Sequence, residues 1–164
     1  MIDRTVLRAY AALTTGIYVL TVREGARRHG MSASWVTQVS GTPPLLSAAV
    51  DRRHQTHERL LRTQRFALNV VGRAARAIED YFFSAAARQP DNLDGIACDD
   101  SPAGLPYLRE ALACLECHVV AQHSAGDHTL FVAEVTHAVV RGGDQPLTSL
   151  DLEYVYVGEV VRRP

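Results

Sequence analysis

Apolar residues along this chain cluster in short β-branched runs, cut by Gly, Pro and Asp. Near the start, Asp3 caps a short helix with Val6, Leu7, Tyr10 and Leu13 on one face, ended by Gly16. Residues 17–22 then read as a strand, residues 24–30 as a charged, Gly-bounded turn, and residues 31–40 as a second strand. Gly41-Thr42-Pro43-Pro44 interrupts the pattern, since neither proline donates to a ladder, and residues 45–50 follow as a third strand. A polar corner over residues 51–56 leads into a helix carrying Leu60 and Leu61, for which Thr56 is the predicted N-cap. Residues 66–71 form the next strand. Ala-rich residues 74–87 place Ile78, Tyr81 and Phe82 at helical spacing, and residues 88–106 make a long irregular excursion. Residues 115–123 and 129–141 are longer strands around a Gly126-Asp127 hairpin signal, and residues 152–157 are the last strand. Six or seven strands with helices at the corners predict a mainly β chain forming one domain over residues 1–164, a closed antiparallel barrel and not an alternating βαβ sheet.

Composition narrows the chemistry. The chain has 164 residues, 47% of them hydrophobic, enough to build a core. Its formal net charge of −1 argues against a strongly basic nucleic-acid binder. All 17 basic residues are Arg, which excludes lysine-dependent Schiff-base chemistry and a P-loop. The three cysteines, Cys98, Cys114 and Cys117, suit a reducing cytoplasm better than a disulfide scaffold. No apolar run approaches the ~20 residues of a membrane helix, and the first residues lack the apolar stretch of a signal peptide. These features predict a cytoplasmic protein.

Two clusters look metal-like and are set aside. His54, His57 and Glu58 lack the spacing of a zinc protease and read as exposed residues at a helix start. Cys114 and Cys117 lie three apart in a strand, on opposite faces, and burial of Cys117 in the core is the simpler reading. The more informative stretch is Gly30-Met31-Ser32-Ala33-Ser34-Trp35-Val36-Thr37-Gln38-Val39-Ser40. Its small and hydroxyl side chains admit a flat ligand close to the backbone, and they equally suit an edge strand with polar outward residues.

Four landmarks occur in one order: residues 15–21; the GMSASWVTQVS stretch with its Pro-Pro-Leu; Val50-Asp51-Arg52-Arg53-His54-Gln55-Thr56 followed by residues 66–70; and Gly126-Asp127-His128-Thr129-Leu130-Phe131. Together they resemble the flavin reductase-like family, whose fold is an FMN-binding split barrel of six to seven antiparallel strands. The resemblance implies that Ser32, Ala33, Ser34, Trp35, Val36 and Thr37 line a flavin ring, with Ser40 toward the ribityl chain. Trp35 stands either over that ring or in the core. Arg53, His54 and Thr56 would meet the phosphate, and Phe82 or Phe83 would approach the cofactor from a neighbouring subunit. His128 would sit on the reactive face and position a nicotinamide.

The same resemblance implies an NAD(P)H-dependent flavin reductase, with FMN or FAD as flavin and NADH or NADPH as hydride source. It also implies a homodimer and a flavin-dependent monooxygenase as partner. An FMN enzyme acting directly on an organic substrate and a non-catalytic flavin carrier are the alternatives. In the excursion, Asn92-Leu93 stands where family members often carry Lys-Phe, on the segment expected to shape the substrate side.

Overall fold

The computed structural model describes residues 3–163, apart from the side chains of residues 85 and 86. In chain order the elements are α1 (Arg4–Ala11), β1 (Tyr18–Glu24), β2 (Arg27–Ala33), β3 (Val36–Gly41), β4 (Pro44–Asp51), α2 (Gln55–Thr63), β5 (Arg65–Val70), α3 (Arg76–Phe83), β6 (Cys98–Asp100), β7 (Pro106–Leu108), β8 (Ala113–Ala125), β9 (His128–Val140), β10 (Tyr154–Tyr156) and β11 (Val160–Arg162). Seven strands form one antiparallel sheet in the order β2-β1-β5-β8-β9-β4-β3. Among the described residues, no helix is long and apolar enough to cross a membrane.

The predicted strand over residues 31–40 is in fact two strands. β2 and β3 are consecutive in the chain yet occupy opposite edges of the sheet. Only Ser34 and Trp35 join them, so Ala33 and Val36 are three Cα steps apart and at most about 11 Å from each other. The sheet therefore curls until its edges nearly meet. The barrel is split at this point, as the family resemblance implies and unlike the closed barrel that the strand pattern alone suggests, because β2 and β3 do not pair with each other.

Each face of the curled sheet buries its own cluster. Inside lie Leu20, Val22, Leu46, Val50, Phe66, Leu68, Phe131 and Ala133, plugged by Leu60 from α2. Outside, Val19, Ala67 and Cys114 pack under α3, the excursion and Leu147. The strand period of two produces this division: Val19 and Leu20 of β1 enter different clusters, as do Phe66 and Ala67 of β5. Cys114 and Cys117 are both fully buried, one in each cluster. Among the described residues, no group of three His, Cys, Asp or Glu side chains could hold a metal ion.

Helix starts follow side-chain chemistry. Asp3 caps α1, accepting from the Thr5 amide at 2.7 Å. The N-cap of α2 is His54, not the predicted Thr56: His54 Nδ1 accepts the Thr56 amide, and Thr56 is fully buried inside the first turn. His57, expected to be exposed, is buried against Phe131 and hydrogen-bonds Thr129.

The excursion protects a sheet edge. Asn92 is buried and acts as a one-residue strand beside β2. Its Oδ1 accepts the Gly30 amide at 2.7 Å, and its Nδ2 donates to the carbonyls of Gly30 and Ala87, each at 2.7 Å. Gly30 must lack a side chain here, since a Cβ would lie 2.6 Å from the Phe82 ring. Leu93 is fully buried in the outer cluster. Asn92 and Leu93 thus build the fold and do not line the cleft described below. Asn92→Ala strips partners from buried backbone groups, each worth about 1–3 kcal/mol when left unpaired. The expected result is a melting temperature several degrees lower, measured by calorimetry. Asn92→Asp fares little better, because its carboxylate faces two carbonyl oxygens.

Candidate flavin cleft

A cleft of about 750 Å³ opens along the β2 edge, at its turn into β3. One wall is the end of β2 with the turn to β3: Gly30, Met31, Ser32, Ala33, Ser34 and Trp35. Opposite stand the β4–α2 corner with Asp51, Arg53 and His54, and the end of α3 with Glu79, Phe82 and Phe83. Tyr154, Val155 and Tyr156 of β10 form a third side.

The strand wall is an unpaired edge. Backbone groups of an antiparallel strand turn alternately to either side. Gly30 spends its outward pair on Asn92, so Ser32, two residues on, turns its amide and carbonyl the same way, beside the cleft that it lines. Small side chains leave those groups open to a flat ring. Thr15 Oγ1, also on the cleft, is buried with no hydrogen-bond partner in the chain.

The corner after β4 carries the positive charge. Arg53 meets Asp51 through Nε at 3.1 Å and Nη2 at 2.7 Å, and its side chain is 77% exposed. This guanidinium holds the Asp51 carboxyl down to about 2. His54 accepts a backbone amide through Nδ1, so a neutral ring carries its proton on Nε2 and offers a donor to the cleft. Arg52 turns away to Ser124 and to the His128 carbonyl.

Seven of the residues expected at a flavin site line this one cleft: Ser32, Ala33, Ser34, Trp35, Arg53, His54 and Phe83. Phe82 joins them. Val36, Thr37 and Ser40 lie on β3 beyond the turn and do not line it. Thr56 sits beneath His54. His128 is 4% exposed and stands behind the wall: Trp35 packs on it at 4.8 Å between ring centroids, and the Tyr156 hydroxyl meets its Nε2 at 3.2 Å. Trp35 is half-buried, lines the cleft, packs on His128 and Tyr156, and belongs to none of the core clusters.

A model of the flavin reductase like domain matches residues 10–158. The chain belongs to the flavin reductase like domain family. An NADH-dependent FAD reductase from Streptomyces globisporus is 35% identical over 141 residues, covering 83% of this chain and 76% of that protein. The high molecular weight rubredoxin of Moorella thermoacetica is 32% identical over 157 residues, covering 94% of this chain and 66% of that longer protein. Among solved structures, the NADH:FAD oxidoreductase SgcE6 of Streptomyces globisporus C-1027, in complex with NAD and FAD fragments, superposes with a TM-score of 0.81. It is 26% identical and covers all of this chain and 96% of its own.

Within this family fold, Glu79, Tyr154 and Tyr156 are cleft residues that the sequence reading did not single out. Glu79 was detectable: the buried face of the helix runs Ala75, Ile78, Glu79, Phe82, with one acid among apolar residues. Its Oε2 accepts from Ser32 Oγ at 2.6 Å and its Oε1 from the Tyr154 hydroxyl at 3.3 Å. Burial pushes the Glu79 carboxyl above its ordinary range, against the two hydroxyl donors. The folded chain therefore holds this proton to higher pH than the unfolded chain. Stability falls as pH rises from the usual carboxylate range through the raised value. Glu79→Gln removes that cost, and it should raise the melting temperature at pH 7 more than at pH 4, read by thermal unfolding at both.

Proposed function

We propose that the chain is an NAD(P)H-dependent flavin reductase that delivers reduced flavin to a flavin-dependent monooxygenase. The observation that carries this reading is the unpaired β2 edge at Ser32, opening on the same cleft as Arg53 and His54. A flavin needs just such a pairing: a flat, donor-and-acceptor-edged ring joined to a phosphate. The relatives support it, since the Streptomyces protein is named an NADH-dependent FAD reductase and a Rhodococcus opacus relative, 29% identical, is the reductase component of a nitrophenol monooxygenase.

In this reading Gly30, Ser32 and Ala33 let the ring approach, and the Ser32 backbone meets its polar edge. Arg53 and the Nε2–H of His54 hold the phosphate, with FMN the simplest occupant. Trp35, Phe83 and Tyr156 exclude water. When bound, the flavin supplies the hydride acceptor, and the protein's task is positioning.

A second copy completes the reading. Tyr10 and Leu13 of the N-terminal segment are 47% and 62% exposed and line a groove that joins the cleft through Thr15, Trp35, Val155 and Tyr156. Such an apolar rim suits a homodimer with flavin near the interface, in the cytoplasm where reduced nicotinamides are made. A bound-flavin electron carrier is the second reading, favoured by the 94% coverage of this chain by the high molecular weight rubredoxin match.

Anaerobic titration separates the two. The reductase reading expects NADH or NADPH to bleach the flavin absorbance within the time of turnover; a flavin that neither nicotinamide reduces leaves the carrier. For the phosphate corner, Arg53→Ala should weaken flavin binding by about ten- to a hundredfold, measured by fluorescence quenching. The loss includes the Asp51 carboxylate, which then faces the phosphate without its partner.

A further inference from the structure

His128 uses both ring nitrogens before any ligand arrives. Nδ1 lies 2.6 Å from Asp127 Oδ1, and Nε2 lies 3.2 Å from the Tyr156 hydroxyl. The ring is 4% exposed and does not line the cleft, whereas Tyr156 does. So enclosed, the ring reaches the cleft through Tyr156. We propose that His128 is a positioning residue acting through Tyr156, and that Tyr156 Oη accepts an N–H from the primary carboxamide of the reduced nicotinamide. This rests on the reductase reading above.

Hydrogen-bond inventory sets the direction. The Asp127 carboxylate accepts only, so Nδ1 of the neutral ring carries the proton. The hydrogen bond from His128 holds the Asp127 carboxyl below its ordinary range, as such a donor must. Nε2 is then an acceptor and takes the Tyr156 O–H. Burial raises Tyr156 above the usual phenol range, so the hydroxyl keeps its proton to give. Its oxygen lone pairs remain, and they are what the cleft sees. The charged groups facing Tyr156 are Asp51, Asp127 and Arg53. Arg53 does not compete strongly for that oxygen, because Nε and Nη2 are engaged by Asp51. The Gly126-Asp127 turn between β8 and β9 fixes the other end: Gly126 takes φ of 59°, and the Arg52 amide holds the Asp127 carbonyl at 3.1 Å. Trp35 closes the side, 4.8 Å from His128 and 5.2 Å from Tyr156 between ring centroids.

The test compares NADH with the reduced 3-acetylpyridine dinucleotide, which keeps the carbonyl and lacks the amide N–H. Wild-type protein should favour NADH by about tenfold in apparent KM, the size of one hydrogen bond. Tyr156→Phe should lose that preference with kcat changed less. His128→Ala should lose it equally, and the double variant no further, since both act on one contact. Preference surviving in Tyr156→Phe, or losses that add, overturns the proposal. A second readout needs no nicotinamide. Nitrogen-15 NMR of histidine-labelled, flavin-free protein should show His128 with its proton on Nδ1, and Asp127→Ala, which removes the acceptor, should abolish that preference. A proton on Nε2 in the wild type overturns the relay. If wild-type flavin is reduced by neither dinucleotide, the reductase reading and the carboxamide assignment both fall, while the NMR result still decides the relay by itself.

Discussion

Two residues, Ser34 and Trp35, hold together the opposite edges of a seven-stranded sheet, and most of the molecule follows from that short tether. A flat sheet of this width would separate its edges by about 28 Å at the usual spacing between strands. The tether allows about 11 Å, so the sheet must curl. Curling gives it an inside, filled by Phe66, Phe131 and their neighbours, and an outside that needs covering by α3, the excursion and the C-terminal segment. It also leaves a seam where two edges approach without pairing.

An unpaired edge is costly unless something meets its backbone groups. The chain treats the β2 edge in two ways. Around Gly30 it supplies Asn92, a side chain with one donor group and one acceptor, and closes the edge permanently. At Ser32 it leaves the edge beside the cleft. The cleft is thus the part of the β2 edge that the fold does not cover, flanked by Arg53 and by aromatic rings. Glu79 fits the same pattern of local cost near a site: a carboxyl buried beside apolar rings, accepting from Ser32 and Tyr154, which both line the cleft.

His128 shows how far a motif carries. Its place after Gly126-Asp127 was legible, and the tight turn is there. What the turn does to the ring was not. The neighbours that bury it, Trp35 and Tyr156, lie 93 positions earlier and 28 later in the chain, so no local pattern speaks of them.

Local patterns did determine much. The period of two set which residues face each side of a strand, which is why Cys114 and Cys117 part company as expected. Asp3 capped its helix and Gly126-Asp127 turned its hairpin, whereas the small-residue stretch, Arg53 and His54 were tied to one site only by the family resemblance. The cap and the turn depend on dihedral preferences and hydrogen bonds within a few residues, which sequence encodes directly. Only tertiary structure decided that residues 31–40 break at Ser34–Trp35 into opposite edges, because the break is forced by where β1 and β4 lie. It also decided that Asn92 guards an edge 62 residues away, and that Tyr156 stands beside His128 at the cleft. Both depend on which distant side chain meets an unpaired polar group, and chain order alone does not say; the His54 cap of α2 is local, a ring nitrogen taking the place that Thr56 was expected to fill.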